Sequence, residues 1–256
     1  MEVIDESHKE FVGSLAKGLS VLSTFGRNAP DLTLSRVAEA ADMTRSAARR
    51  HLLTLQALGY VSTDGRKFSL TPKVLELGFS FLSSRGWLFV ANPVIEGLRD
   101  EVGESAAASV LDGSDIVYVS RYVVDRVLTV GATVGTRRPA YAMAMGRVLL
   151  AQLPDDQVRE RLLASTPRPL TARTVYDVGA LMEEILRVRE QGYSVIDQEL
   201  EIGLVAVSVP LRNASGSTIA AIGVCSHASY LNAEELAARA LEPAKAAAAK
   251  IANLLV

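Results

Sequence analysis

The sequence predicts an α+β chain in three parts. A winged helix-turn-helix covers residues 11–71, a linker helix covers 72–91, and an antiparallel sheet with flanking helices covers 92–256. Three observations lead there. Two short helical patterns joined by a tight turn precede an Asp64-Gly65 hairpin signal. Beyond residue 92, runs of strand period fall in two clusters separated by helical periods. The charge is also unevenly divided. Residues 11–73 hold nine Lys/Arg against four Asp/Glu, although the whole chain is near neutral at −2. A basic module on an acidic body suits a phosphate-binding head carried by a part that does not bind nucleic acid.

In order, MEVIDESHKE is acidic and polar and is expected to fray. Ser14 is the expected N-cap of a first helix, with Leu15, Leu19, Leu22 and Phe25 as its apolar stripe. Gly26 and the polar RNAPD segment end it. A second helix starts after Thr33 or Leu34 and turns Val37, Ala38 and Ala41 inward. Asp42-Met43-Thr44 is the turn into the third helix, Thr44–Gly59, capped by Thr44. In that helix Leu52, Leu55 and Leu58 recur at helical spacing, with Leu53 widening the stripe.

The front of the third helix carries Thr44, Arg45, Ser46, Arg49, Arg50 and His51. It has three arginines and no acid. An α-helix fits the major groove, where arginine reads guanine edges and hydroxyls take phosphates. Arg45, Ser46, Arg49 and Arg50 are therefore the candidates for base contacts. Thr44, His51 and the hairpin-tip residues Arg66 and Lys67 are the candidates for phosphates. Lys17 is a further phosphate candidate, equally well read as a solvated helix charge. No second ligand stands at zinc spacing from His51.

Pro72 suits the first position of a helix. KVLELGFSFLSS then places Val74, Leu75, Leu77, Phe79 and Leu82 on more than one face, which suits a linker helix with several neighbours, such as the wing and a second copy of itself; the alternative is a simple interdomain spacer. Ser83-Ser84-Arg85-Gly86 breaks the pattern, and Asn92-Pro93 opens the next helix. Strand runs follow at SAAASVLDG, DIVYVSRYV and RVLTVGATVG. PAYAMAMGRVLLAQL begins as loop and becomes helix near Ala144. Pro154-Asp155-Asp156 opens a helix to about Ala164. Val178–Gln191 is amphipathic and ends at Gly192. YSVID, LVAVSVPLR and TIAAIGVCSH are strands, and NAEELAARALEPAKAAAAKIANLL is a closing helix bent or interrupted at Pro243. The arrangement is that of a GAF or PAS sensor.

Cys225 is the only cysteine, so no intrachain disulfide forms, and a cytoplasmic setting is expected. No apolar run is long enough for a membrane span, and no signal peptide is evident. Cys225 and His227 alternate on a strand, but no positive group is evident to activate the thiol. Asp197, Glu199 and Glu201 alternate and suit either a cation site or a solvated strand end. GATVG lacks the P-loop lysine. No cofactor, metal or catalytic residue is expected.

With these residues laid out, the chain resembles the IclR family of bacterial transcriptional regulators over essentially its whole length. SLAKGLSVLSTFG, Thr44–Gly59 and DGRKFSLTPKVLELG are similar to its winged head and linker. PAYAMAMGRVLLA and GYSVIDQELEIGLVAVSVPL are similar to its effector-binding domain. PAYAMAMGRVLLA, VIDQELE and the SVPLRNASG…AAIGVCSH pair resemble the members that control protocatechuate and para-hydroxybenzoate breakdown. The resemblance implies a homodimer or homotetramer that binds operator DNA and a small organic acid, and that meets RNA polymerase if it is an activator. It also implies an effector pocket at Ala142, Met143, Ala144, Met145, Gly146, Asp197, Ala206, Ser208, Gly223 and Cys225. Met143 and Met145 stand where members taking very small acids commonly carry small residues, and Ala206 and Gly223 lack those members' polar groups. An aromatic or otherwise larger acid is the expectation. Backbone amides near Gly146, or one of Arg121, Arg126, Arg137 and Arg138, would face its carboxylate. The alternatives are an IclR-type regulator of another carbon source, a small-molecule enzyme with a DNA-binding appendage, and a scaffold without ligand.

Overall fold

The computed structural model describes residues 7–26, 29–84, 86–126 and 131–255. The chain divides into two compact units, Met1–Ser84 and Arg85–Val256.

In the first unit, α1 (Gly13–Ser23), α2 (Leu34–Ala40) and α3 (Arg45–Ala57) surround a small core with a three-stranded sheet of β1 (Asp31–Thr33), β2 (Val61–Thr63) and β3 (Lys67–Leu70). The order is β1-β3-β2, all antiparallel. Val21, Phe25, Val37, Ala38, Ala48, Leu52, Leu55 and Val61 form the core. The turn into α3 works as expected. Asp42 takes a left-handed φ of +48°, and the Thr44 hydroxyl accepts the Ala47 N–H at 3.2 Å.

Several local expectations differ. Gly13 starts α1 after Val12, so Ser14 does not cap it. Leu15, Leu19, Leu53 and Leu58 are exposed, at 62%, 51%, 43% and 54%. Val21 and Ala48 take the core positions instead, because three short helices enclose too little volume for every leucine. β1 was not visible as a strand in RNAPDLT. It forms by pairing with β3, Leu32 opposite Phe68. After a 3-10 turn at Pro72–Val74, α4 (Leu75–Ser84) buries no side chain: Leu75, Leu77 and Phe79 stay 73%, 50% and 69% exposed.

The second unit is a six-stranded antiparallel sheet in the order β6-β5-β4-β9-β8-β7. Its strands are β4 (Ser105–Asp112), β5 (Asp115–Tyr122), β6 (Arg137–Pro139), β7 (Ser194–Asp197), β8 (Leu204–Arg212) and β9 (Thr218–His227). Consecutive residues Leu204–Val209 of β8 and Ala220–Val224 of β9 are buried, so both sheet faces are covered there. α5 (Trp87–Val102) and α9 (Ala233–Leu254) pack together and onto the sheet, while α6 (Ala144–Leu150) packs against the sheet and is backed by α8 (Val178–Gln191), which carries α7 (Asp155–Ser165).

α5 begins at Trp87 rather than at Asn92-Pro93, so the boundary falls after Ser84 and not at residue 91. α9 runs unbroken through Pro243. In both helices the carbonyl that loses its donor belongs to an exposed residue, Phe89 or Arg239, and water can take the donor's place. Of the strand expected over 126–135, residues 127–130 lie outside the described residues and 131–135 are not a strand; the edge strand is β6. Among the described residues no single helix is long and apolar enough to cross a membrane.

Candidate DNA-reading and effector sites

α3 presents one face outward. Arg45, Ser46, Arg49 and Arg50 are exposed in the first two turns, with Arg45 and Arg49 one turn apart and Arg50 opposite the buried Leu52. Among the described residues no carboxylate pairs with these arginines, so three unneutralised guanidinium groups share this exposed front. His51 departs from it. It is half-buried on the flank towards α1, with Nδ1 3.9 Å from where a Cβ on Gly18 would stand. Lys17, His51, Arg50 and Leu58 line a groove of about 870 Å³ between α1 and α3.

Arg66 and Lys67 are exposed at the wing tip. The Asp64 carboxylate shapes that tip, accepting the N–H groups of Arg66 at 2.8 Å and Lys67 at 2.7 Å. Those two backbone bonds hold the Asp64 carboxyl below its usual range. Lys73 donates to the Leu58 carbonyl at 3.0 Å, closing the C-terminus of α3.

In the second unit, strand register assembles a small-residue floor. Gly223 of β9 lies between Ala107 of β4 and Ser208 of β8, and Cys225 lies between Ser105 and Ala206. Directly paired residues share a face, so Ala107, Gly223, Ala206 and Cys225 all turn the same way. Met143, Ala144 and Met145 stand over them from the start of α6. Together with Tyr118 and Arg121 they enclose a cavity of about 20 Å³.

Arg121 reaches this cavity through an irregularity. Tyr118 pairs with Ser109 and Ser120 with Ala108, leaving Val119 unpaired. This bulge resets the alternation. Regular pleating from Tyr118 would send Arg121 to the other face; the extra residue brings it opposite Ala107, into the cavity wall. Its guanidinium lies 5.4 Å from the centre of the Tyr118 ring.

Of the ten pocket residues implied by the resemblance, Met143, Ala144, Met145, Ala206, Gly223 and Cys225 are brought together. The other four are not. Ala142 is buried in the 3-10 turn Ala140–Ala142. Gly146 packs against that turn, where a Cβ would come 2.1 Å from the Ala140 carbonyl oxygen. Ser208 donates to the Ile222 carbonyl at 2.7 Å. Asp197 pairs in register with Val205, out of the cavity row, and its carboxylate takes Arg173. Ala107, Tyr118, Leu204 and Val207 were missed: their strands were evident, but which strands are neighbours was not.

The open questions about charged groups also resolve. Arg126 is held by Glu104 at 2.9 Å, and Arg137 by Asp112 at 2.5 Å; Arg138 bonds backbone carbonyls outside the cavity. Only Arg121 of the four lines the cavity. The acidic alternation does not act as one group: Asp197 and Glu201 reach solvent, and Glu199 does not. Glu199 is buried against Arg147, whose Nη1 and Nη2 donate to its two oxygens at 2.7 and 2.6 Å. No metal-ligand cluster occurs among the described residues. Burial pushes the Cys225 thiol above its usual range, although Arg121 beside it opposes the shift. That is the wrong direction for a nucleophile. His227 instead shares a 2.8 Å hydrogen bond with Ser229. Burial also pushes the Tyr118 hydroxyl up to about 12, so it keeps its proton and remains a donor.

A winged head with an arginine-faced helix, joined to a sheet domain with a small lined cavity, has the parts of a ligand-responsive DNA-binding transcriptional regulator. Residues 14–65 match the family model of the IclR helix-turn-helix domain. Residues 79–253 match that of the bacterial transcriptional regulator IclR C-terminal domain. The chain belongs to the IclR family. It is 41% identical to the Pca regulon regulatory protein of Pseudomonas putida, over 91% of this chain and 80% of that one. The crystal structure of a putative transcriptional regulator from Rhodococcus sp. RHA1 is 47% identical, with a TM-score of 0.84 over 96% of this chain and 98% of that one. An IclR homologue from Microbacterium hydrocarbonoxydans, complexed with 4-hydroxybenzoate, is 25% identical, with a TM-score of 0.83 over 94% and 98% of the two chains.

Proposed function

We propose that this chain controls genes for aromatic-acid breakdown, of the protocatechuate and β-ketoadipate kind, by binding an operator in a manner set by an aromatic or dicarboxylic acid. The observation that carries the effector half is the cavity wall: a thioether-rich apolar lining with one guanidinium, Arg121, turned into it by the β5 bulge. An apolar slot with one placed cation suits a planar carboxylate. The 4-hydroxybenzoate complex of the Microbacterium homologue supports that ligand class. Thermal denaturation in the presence of protocatechuate, 4-hydroxybenzoate, β-ketoadipate, glyoxylate or pyruvate tests the proposal. A rise in Tm with an aromatic acid or β-ketoadipate alone is expected. A rise with glyoxylate or pyruvate alone would overturn the aromatic assignment. Turnover of a bound acid would move the chain to the enzyme class.

On the DNA side, Arg45, Ser46, Arg49 and Arg50 read base edges, while Thr44, Arg66 and Lys67 hold phosphates, with His51 in a lesser place at the α1 flank. Arg49→Ala is expected to weaken operator binding by about 1–3 kcal/mol while barely changing binding to unrelated duplex. Equal loss on both, measured by fluorescence anisotropy at fixed salt, would reduce Arg49 to a phosphate contact. The chain works as a homo-oligomer. Leu75, Leu77 and Phe79 of α4 are apolar and exposed, as are Leu15 and Leu19 of α1, and a second copy is the partner that covers such faces in a regulator reading a two-fold operator.

A further inference from the structure

We infer that Met145 is the plug of the effector site: its thioether occupies the volume that the effector's ring takes, and binding drives it out. The inference rests on the proposal that the cavity over β9 is the effector site.

A cavity of about 20 Å³ holds roughly one water molecule, whereas ligand pockets run to about 300–1,000 Å³. One wall therefore has to yield. The floor cannot: β4 and β9 are hydrogen-bonded on both sides, and Ala107, Gly223 and Ala206 have nothing to withdraw. Nor can the body of α6, which is pinned by the Arg147–Glu199 pair and by the tight seat of Gly146 on Ala140. The Tyr118 ring is buried.

Met145 remains. A Cβ placed on Gly223 would meet Met145 Cγ at 2.8 Å and Sδ at 3.1 Å, so this side chain lies directly on the one floor position that has no side chain. The small-residue floor is a shallow basin, and Met145 fills it. An unbranched chain with three rotatable bonds is the kind that can leave and repack elsewhere, and its sulfur then makes favourable contact with an aromatic edge.

The test titrates 4-hydroxybenzoate and protocatechuate calorimetrically into the full-length protein and three variants, each checked for a single cooperative unfolding transition without ligand. Met145→Ala removes the plug and is expected to bind about tenfold tighter, since the cost of displacing it is gone. It should also accept 4-hydroxy-3-methoxybenzoate, which the parent is expected to refuse. Met145→Leu keeps the bulk on a branched, stiffer chain and is expected to bind more weakly; it decides the matter if the alanine variant does not fold. Arg121→Gln tests the site itself. If Arg121→Gln abolishes binding while Met145→Ala binds no tighter than the parent, or Met145→Leu binds as the parent does, Met145 is a fixed wall. The plug is then wrong and the site stands. If Arg121→Gln and Met145→Ala both bind as the parent does, or the parent binds neither acid, the site assignment falls and the plug with it.

Discussion

Replacing Arg147 by alanine is expected to cost the second unit about 3–5 kcal/mol, because it leaves the Glu199 carboxylate buried and uncompensated. Arg147 is only 2% exposed. Its guanidinium spends three donors inside the fold: two on Glu199 and, through Nε at 2.9 Å, one on the Tyr141 carbonyl. Glu199 Oε2 also accepts the Val175 N–H at 3.0 Å, so one ion pair ties α6, the turn before it and the 171–175 connection to the hairpin after β7. In urea, the midpoint should fall with little change in slope. The paired replacement Arg147→Met with Glu199→Leu should recover much of the loss, since an apolar pair of similar bulk carries no desolvation penalty. A loss below about 1 kcal/mol for Arg147→Ala would place the pair among weak surface bridges and remove its anchoring role.

Gly146→Ala is the second large effect, and its sign runs against helix propensity. Within an ordinary exposed helix this change stabilises by up to about 1 kcal/mol. Here the new methyl would meet backbone: Ala140 oxygen at 2.1 Å, Cα at 2.4 Å and the carbonyl carbon at 2.6 Å. No side chain can rotate away, so the 3-10 turn Ala140–Ala142 or α6 has to move. The expected cost is about 3 kcal/mol, at the upper end for overpacking. Effector binding should suffer further, because Met143 and Met145 flank the displaced segment. Chemical denaturation with calorimetric titration of 4-hydroxybenzoate reads both, and an unchanged midpoint would mean that the seat of α6 is looser than its geometry.

Helix and strand identities were largely legible in the sequence. Local signals place α3, α8 and the β2–β3 hairpin because each has a clear period and a decisive boundary: Thr44, Gly192 and Asp64-Gly65. What failed depended on tertiary context. Leu15, Leu19, Leu53 and Leu58 obey helical spacing yet stay exposed, since spacing gives a stripe and not the volume available to bury it. Pro93 and Pro243 look like helix starts or breaks, but exposed carbonyls tolerate both. β1 exists only through its pairing with β3.

The candidate sites divide in the same way. The arginine face of α3 follows from residue spacing on a single helix. The proposed effector cavity spans β4, β5, α6, β8 and β9, and strand order is not written in local pattern. Family resemblance supplied Met143, Met145, Ala206, Gly223 and Cys225, but could not separate Gly146, which packs, from its neighbours, which line. Glu199 was misread because alternation with Asp197 and Glu201 suggested one shared environment, whereas the left-handed Gln198 between them breaks the strand.

The unpaired Val119 makes the chemistry of the cavity wall depend on counting as well as on identity. Position 121 meets the cavity because of one supernumerary residue upstream in its own strand. One residue inserted between Val119 and Ser120, with the bulge kept, would bring Ser120 opposite Ala107 and so trade a guanidinium for a small hydroxyl without any substitution. Among regulators built on this sheet, effector preference can thus diverge by a frame change within a strand, a route that leaves floor, helix and operator-reading head untouched.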